Sequence, residues 1–308
     1  MRHLLSLVEV GPENLNRLVD RALAIVADPA AVPSLAGKTV GIYFKRTSTR
    51  TRSAFTVAAI KLGAVPIAYG PADLQLLTGE TVSDTARVLS GYLDALVIRT
   101  NESIDEMRAF ASQDEMAVIN AMSETEHPTQ AVADLVTIKE AFGRLHGVEI
   151  LYVGEGNNTA AALALAVSLT PGMHLVVATP EGYGLQPEVI ETARRLCRQS
   201  GSVVEQYHDL SSRPGAFDVV YTTRWQTMGV QKPDPHWKEK FTPYRVTQDF
   251  MRRFSKNGTT VFMHDLPAVR GDDVVDEVLD GPNSVAFRQA KHKLTSAMAV
   301  LSWCLAAD

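Results

Sequence analysis

The run FKRTSTRTRSAF (44–55) gathers three hydroxyls and a guanidinium in four consecutive residues, Ser48, Thr49, Arg50 and Thr51. They stand where an apolar strand ends and a helical pattern begins. Free backbone N–H groups at a helix N-terminus attract an anion, and the helix dipole adds to that attraction. Arg50 contributes a bidentate fork suited to phosphate. The chemistry is that of a phosphate cradle built without glycines. An ordinary Ser cap followed by surface arginines is the bland alternative. S-T-R-T-R directly after an apolar strand is much more specific than that.

A second group lies in EHPTQAVADLVTI (126–138). His127 and Gln130 are one helical turn apart and face the same way. Pro128 suits a helix's first turn. His127 follows strand AVINA, and Arg99 closes strand ALVIRT. Both therefore project from the carboxyl ends of strands, where open α/β sheets bind ligands. A lone His is more often a cap, and a lone Arg more often a surface residue. Together with a cradle on the same sheet edge, they read as functional.

The elements that position these residues alternate. Strands read at 38–44, 64–70, 95–100 and 117–121, with helices at 12–27, 53–64, 81–93 and near 103–112. A long helix, 128–142, ends at Gly143, and the alternation restarts. Strands 149–156, 174–180, 202–207, 218–223 and 259–267 follow, with helices 159–170, 187–200 and 246–255, and a proline-bearing loop at 229–243. A last helix covers 289–307. This predicts an α/β fold of two domains, each a parallel sheet flanked by helices. The expected division is 1–140 with the C-terminal helix 289–308, and 141–288.

Composition bounds the function. The 308 residues carry 30 Lys and Arg against 35 Asp and Glu, a formal charge of −5. A general nucleic-acid binder needs a basic face, so that class is excluded. The N-terminus does not read as a signal peptide, and no stretch of about 18 apolar residues occurs. Cys197 and Cys304 sit far apart in helical patterns and read as inert thiols of a reducing, cytoplasmic compartment.

S-T-R-T-R, an arginine at a strand end, H-P-T-Q and H-x-L-P, in that order, resemble the aspartate/ornithine carbamoyltransferase family. The similarity covers essentially the whole chain, including TVSDTARVLSGY (81–92), G-E-G-N-N (154–158) and DEVLDGPNSVAFRQA (276–290), and is closer to the ornithine branch. The resemblance implies transfer of a carbamoyl group from carbamoyl phosphate to an amine, with no metal or organic cofactor. It implies that Ser48, Thr49, Arg50 and Thr51 hold the phosphate. Arg99, His127 and Thr51 would face the carbonyl oxygen, and Gln130 the carbamoyl nitrogen. Leu266, in HDLPAVRG (264–271), would accept from that nitrogen through its backbone, and Lys293 would add a cation where the family often has arginine. Gln75 would reach a neighbouring subunit's site, which implies a homotrimer.

The acceptor pocket departs from the family. Asn158, Trp225, Thr227 and Met228 match ornithine-branch positions, but Thr223 stands where that branch has aspartate. T-R-W-Q also places Arg224 and Gln226 where the aspartate branch reads a carboxylate. Asp265 occupies the second position of H-x-L-P, where ornithine enzymes carry Cys and aspartate enzymes Pro. Lys45 replaces the usual acid before the cradle. The rearrangement points to an amino acid or related amine other than plain ornithine. The alternatives are an ornithine enzyme making citrulline, an aspartate-like enzyme and a non-catalytic carbamoyl phosphate-binding protein. G-E-G-N-N-T lacks the third glycine of a dinucleotide fingerprint, and the next strand ends without an acid, which argues against a nicotinamide enzyme.

Overall fold

The computed structural model describes residues 2–28, 33–210, 215–226 and 232–306. The chain divides into two compact units. The first comprises 1–136 and 291–308, the second 137–290.

The first unit opens with α1 (Leu7–Ala27), capped by Ser6 and broken at Gly11, whose φ of 75° is left-handed. The main helix therefore starts at Pro12, where a missing N–H costs little. Then follow β1 (Thr39–Phe44), α2 (Arg50–Lys61), β2 (Val65–Tyr69), α3 (Val82–Ser90), β3 (Ala95–Arg99), α4 (Asp105–Phe110), β4 (Ala117–Met122) and α5 (Pro128–Phe142), which continues into the second unit. The sheet order is β2-β1-β3-β4, all parallel. β3 and β4 are buried throughout, as expected of strands covered on both faces. One side packs Tyr43, Leu96, Ile98 and Val118 against Leu89, Met107 and Phe110.

The second unit carries β5 (Glu149–Val153), α6 (Asn158–Leu169), β6 (His174–Ala178), α7 (Pro187–Ser200), β7 (Val203–Tyr207), β8 (Val219–Thr222), α8 (Trp237–Phe241), α9 (Gln248–Phe254), β9 (Val261–His264), α10 (Asp276–Leu279) and the first residues of α11 (Ala286–Leu305). Its five strands are parallel, in order β7-β6-β5-β8-β9. α6 is buried along its whole length, so its apolar residues form no stripe.

Several bounds differ from the sequence expectation. α2 starts at Arg50, three residues before the apolar pattern, so the cradle itself forms the first turn. α8 lies inside the segment read as a proline-bearing loop. β9 stops at His264 because Leu266 takes the left-handed region, φ 54°. Cys304 is buried, which pushes its thiol up to about 12 and makes it unreactive. Among the described residues no helix is long and apolar enough to cross a membrane.

Candidate active site

The carboxyl ends of β1, β3 and β4 collect the first group of side chains, all within one unit. Thr49 precedes α2 and makes no side-chain cap bond, so its hydroxyl does not occupy the N–H groups of the first turn. Arg99 is buried, and its Nη1 donates to Thr51 Oγ1 at 3.3 Å and lies 3.5 Å from His127 Nε2. A cleft is lined by Thr51, Phe55, His127, Thr129, Gln130 and Lys293. The structure thus brings Thr51, His127, Gln130 and Lys293 to one place, with Arg99 against the first two.

Burial holds the His127 imidazole well below its ordinary pKa, and the Lys293 and Arg99 cations add to that. The ring is therefore neutral around pH 7, with one N–H to donate. Gln130 is oriented from behind: its Nε2 donates to Asp134 Oδ1 at 2.7 Å. Its Oε1 is buried and has no hydrogen-bond partner among the described residues, which leaves an acceptor facing the cleft group. Asp134 escapes sequence reasoning, although its i+4 spacing from Gln130 is the signal that could have found it.

Lys45 reverses the charge expected before the cradle, and the structure compensates. Its Nζ sits 2.7 Å from Glu102 and 2.6 Å from Glu106. Its backbone N donates to Arg99 O at 3.0 Å, tying the cradle strand to the Arg99 strand.

The loop before His127 is fixed by a buried network. Asn120 Nδ2 donates to Leu5 O at 2.8 Å, and Glu126 Oε1 accepts from Leu7 N at 2.8 Å. Burial pushes the Glu126 carboxyl up to about 7 from an ordinary 4.5, against hydrogen bonds from Leu7 and Ser6 that pull it down. A folded pKa above the unfolded one means stability that is full below pH 4.5 and lost as pH rises to about 7. That loss is on the order of 3 kcal/mol. Glu126→Gln should remove it, so urea unfolding at pH 5 and 8 should show a smaller pH effect in the variant. His127 acts oppositely, losing stability as pH falls below 6.5, but it is common to both proteins and drops out of the comparison.

The second unit positions another group at the carboxyl ends of β5, β8 and β9. Asp265 accepts from Thr223 Oγ1 on Oδ1 and from Thr159 Oγ1 on Oδ2, both at 2.9 Å. The turn beneath it is locked: His264 Nε2 pairs with Asp273 Oδ2 at 2.6 Å, both fully buried, and His264 Nδ1 accepts from Leu266 N at 2.8 Å. With Nδ1 accepting, Nε2 carries the proton and donates to Asp273. Gln289 Oε1 receives His264 N at 2.9 Å. Leu266 sits two residues beyond His264 in left-handed backbone, rare for its type and common at functional turns.

Asn157 caps α6 through Thr159 N and Ala160 N, and Asn158, which is buried, opens the helix. Arg224 and Gln226 are half-buried on the loop after β8. Thr227 and Met228 lie outside the described residues. Gln75 is exposed in a short 3-10 turn, accepting from Thr78 Oγ1 at 2.8 Å. Among the described residues no cluster of three or more His, Cys, Asp or Glu is arranged for a metal ion.

Family comparison matches both halves. The model of the aspartate/ornithine carbamoyltransferase carbamoyl-P binding domain covers residues 2–140, and that of the Asp/Orn binding domain covers 146–304. The chain belongs to the aspartate/ornithine carbamoyltransferase family. It is an enzyme of carbamoyl transfer. The ornithine carbamoyltransferase of Oceanobacillus iheyensis is 37% identical over 310 residues, covering 99% of this chain and 94% of that one. The Hyperthermus butylicus ornithine carbamoyltransferase is 38% identical over 311 residues, covering 99% and 98%. The solved ornithine carbamoyltransferase of Pyrococcus furiosus superposes with a TM-score of 0.92 at 38% identity, covering 100% of this chain and 98% of that one. The family's two-domain α/β architecture is thus the architecture seen here.

Proposed function

We propose that this carbamoyltransferase uses an amino acid or related amine other than plain ornithine, and that Asp265 reads the acceptor's ammonium. The supporting observation is the Asp265 carboxylate held between Thr159 and Thr223. The ornithine branch carries its carboxylate at the Thr223 position. Here the charge stands on the opposite member of that hydrogen bond. A cation read from Asp265 meets its anion from a different strand end, which favours a different acceptor geometry.

The chemistry follows from the residues. Ser48, Thr49, Arg50 and the first turn of α2 take the phosphate of carbamoyl phosphate. Arg99, His127 and Thr51 donate to the carbonyl oxygen, and Lys293 adds positive charge. Gln130 Oε1 accepts from the carbamoyl NH2. The neutral amine adds to the carbonyl carbon, forming the new C–N bond and a tetrahedral oxyanion. Collapse breaks the C–O bond to phosphate, which leaves with the electron pair and takes the amine's proton. Donors fixed before the reaction stabilise the oxyanion without reorganising. Asn158, Arg224, Gln226, Thr227 and Met228 complete the acceptor reading, and Asp265 holds the cationic group or accepts its proton.

Ornithine itself is the second reading, favoured by the names of the full-length relatives. A panel of amines with carbamoyl phosphate, followed by phosphate release, separates the two. Ornithine, shorter diamino acids and amines bearing an extra carboxylate belong in it. The expected result is a higher kcat/KM for an amine other than ornithine; efficient turnover of ornithine alone would leave the second reading in its place.

Assembly into a homotrimer through the first unit fits its exposed apolar residues. Ile60 on α2 and Val65 on the edge strand β2 are 58% and 59% exposed. Light scattering would then read three times the 33.5 kDa chain. Two free thiols fit a cytoplasmic location, which fractionation of the source cells would test.

A further inference from the structure

Lys232 is unusual for its type. Its side chain is 4% exposed and its ammonium is ion-paired with Glu155. The nitrogen lies 4.6 Å from the Tyr183 ring centroid, 5.0 Å from Phe241 and 5.2 Å from Trp237. The rings brace one another: Phe241 is edge-on to Tyr183 at 4.9 Å and to Trp237 at 5.6 Å. Ring faces around a cation, with a carboxylate behind it, are the arrangement proteins use to hold alkylammonium groups. Here the group held is the chain's own. A buried lysine is costly unless paired, so this box exists to keep that cation.

Its partners are the segments that the acceptor reading uses. Glu155 belongs to the turn 154–158 that leads into α6. The Glu155 carbonyl accepts from Tyr152 Oη at 2.9 Å, and Gly156 N donates to Tyr183 O at 2.8 Å. A Cβ on Gly156 would stand 2.3 Å from the Gly184 carbonyl carbon, so this turn lies against the Tyr183–Leu185 backbone with no slack. Trp225, at the start of the loop after β8, packs on Phe241 with ring centroids 5.4 Å apart and planes tilted by 38°. Its ring also comes within 3.3 Å of where a Gly154 Cβ would lie.

We propose that Lys232 is a positioning residue for the acceptor: its ammonium, held by Tyr183, Trp237 and Phe241, pins Glu155 and so fixes the 154–158 turn against Trp225. The proposal rests on the reading of Asn158 and the Thr223–Gln226 segment as acceptor-binding. The box also makes a prediction that needs no such reading, namely that a vacated box binds a small cation.

The test is Lys232→Ala in the full chain. The KM for the amine acceptor should rise about tenfold, the scale of one lost desolvated cation–π and ion-pair contact, while kcat and the KM for carbamoyl phosphate change little. Tetramethylammonium, which cannot be carbamoylated, should restore the acceptor KM and give a saturable change in tryptophan fluorescence. Neutral tert-butanol should do neither, and adding Glu155→Gln should abolish the rescue. An unchanged acceptor KM, or equal rescue by tert-butanol, overturns the proposal. If Lys232→Ala folds poorly, Lys232→Arg and Lys232→Met make the same comparison. The cationic side chain should keep the acceptor KM and the neutral one should raise it; equal values overturn the proposal. If the wild type turns over no amine, the acceptor reading has failed. Tetramethylammonium binding to Lys232→Ala then still decides whether the box holds a cation.

Discussion

Replacing Arg99 by methionine should lower kcat by about a thousandfold, the cost of one preorganised oxyanion donor at a buried site. The side chain is buried and reaches both Thr51 and His127. Its loss removes a donor and loosens two others. It also removes a cation that lowers the His127 pKa. The sign follows directly: without that cation the imidazole protonates more readily, and its pKa moves up toward 6.5. Burial and Lys293 still hold it down, so the rise is partial. The acidic limb of the pH–rate profile should therefore shift to higher pH. Arg99→Lys keeps the charge and loses the fork, so it should recover the pH profile more fully than kcat. A loss in kcat smaller than about tenfold would remove Arg99 from the oxyanion role.

The second large effect concerns Asp265. Asp265→Cys deletes the carboxylate that both threonine hydroxyls address. A hydrogen-bonded charge is worth about 1.5–3 kcal/mol, so the KM for a cationic acceptor should rise about 10- to 100-fold. The KM for carbamoyl phosphate should move far less. The informative variant is double. Thr223→Asp with Asp265→Cys returns the carboxylate to the ornithine-branch position and should raise kcat/KM for ornithine. Thr223→Asp alone should not, because two carboxylates would then face each other across a contact now 2.9 Å long. One would stay protonated or be pushed away. Identical amine preference in the wild type and the double variant would end the argument for a relocated carboxylate.

Much of the architecture was legible because parallel sheets advertise themselves. Buried apolar strands alternated with helical patterns, and α5 runs over the same 128–142 that its pattern marked. Less legible were α8 and α10, five and four residues long, too short to show a period. β9 was over-extended because HDLP continues an apolar strand in sequence, whereas Leu266 turns the chain in space. The first unit's candidate group was legible because each of Thr51, Arg99 and His127 stands at a strand end or a helix start. Its supports were not. Lys45 meets Glu102 and Glu106 across 57 and 61 residues, and Glu126 meets Leu7 across 119. Such contacts are set by strand order, which no local pattern encodes. Asp265 was suspect from its position alone, but its two threonine partners come from the first turn of α6 and the end of β8, 106 and 42 residues away in sequence.

The fully buried His264–Asp273 pair bears on how such an enzyme changes over generations. The turn is gripped from behind, through the imidazole, the Leu266 N–H and Gln289, and none of these bonds uses the side chain at 265. That position is an interchangeable fitting on a fixed mount. Cysteine at 265 would leave each of those backing bonds in place.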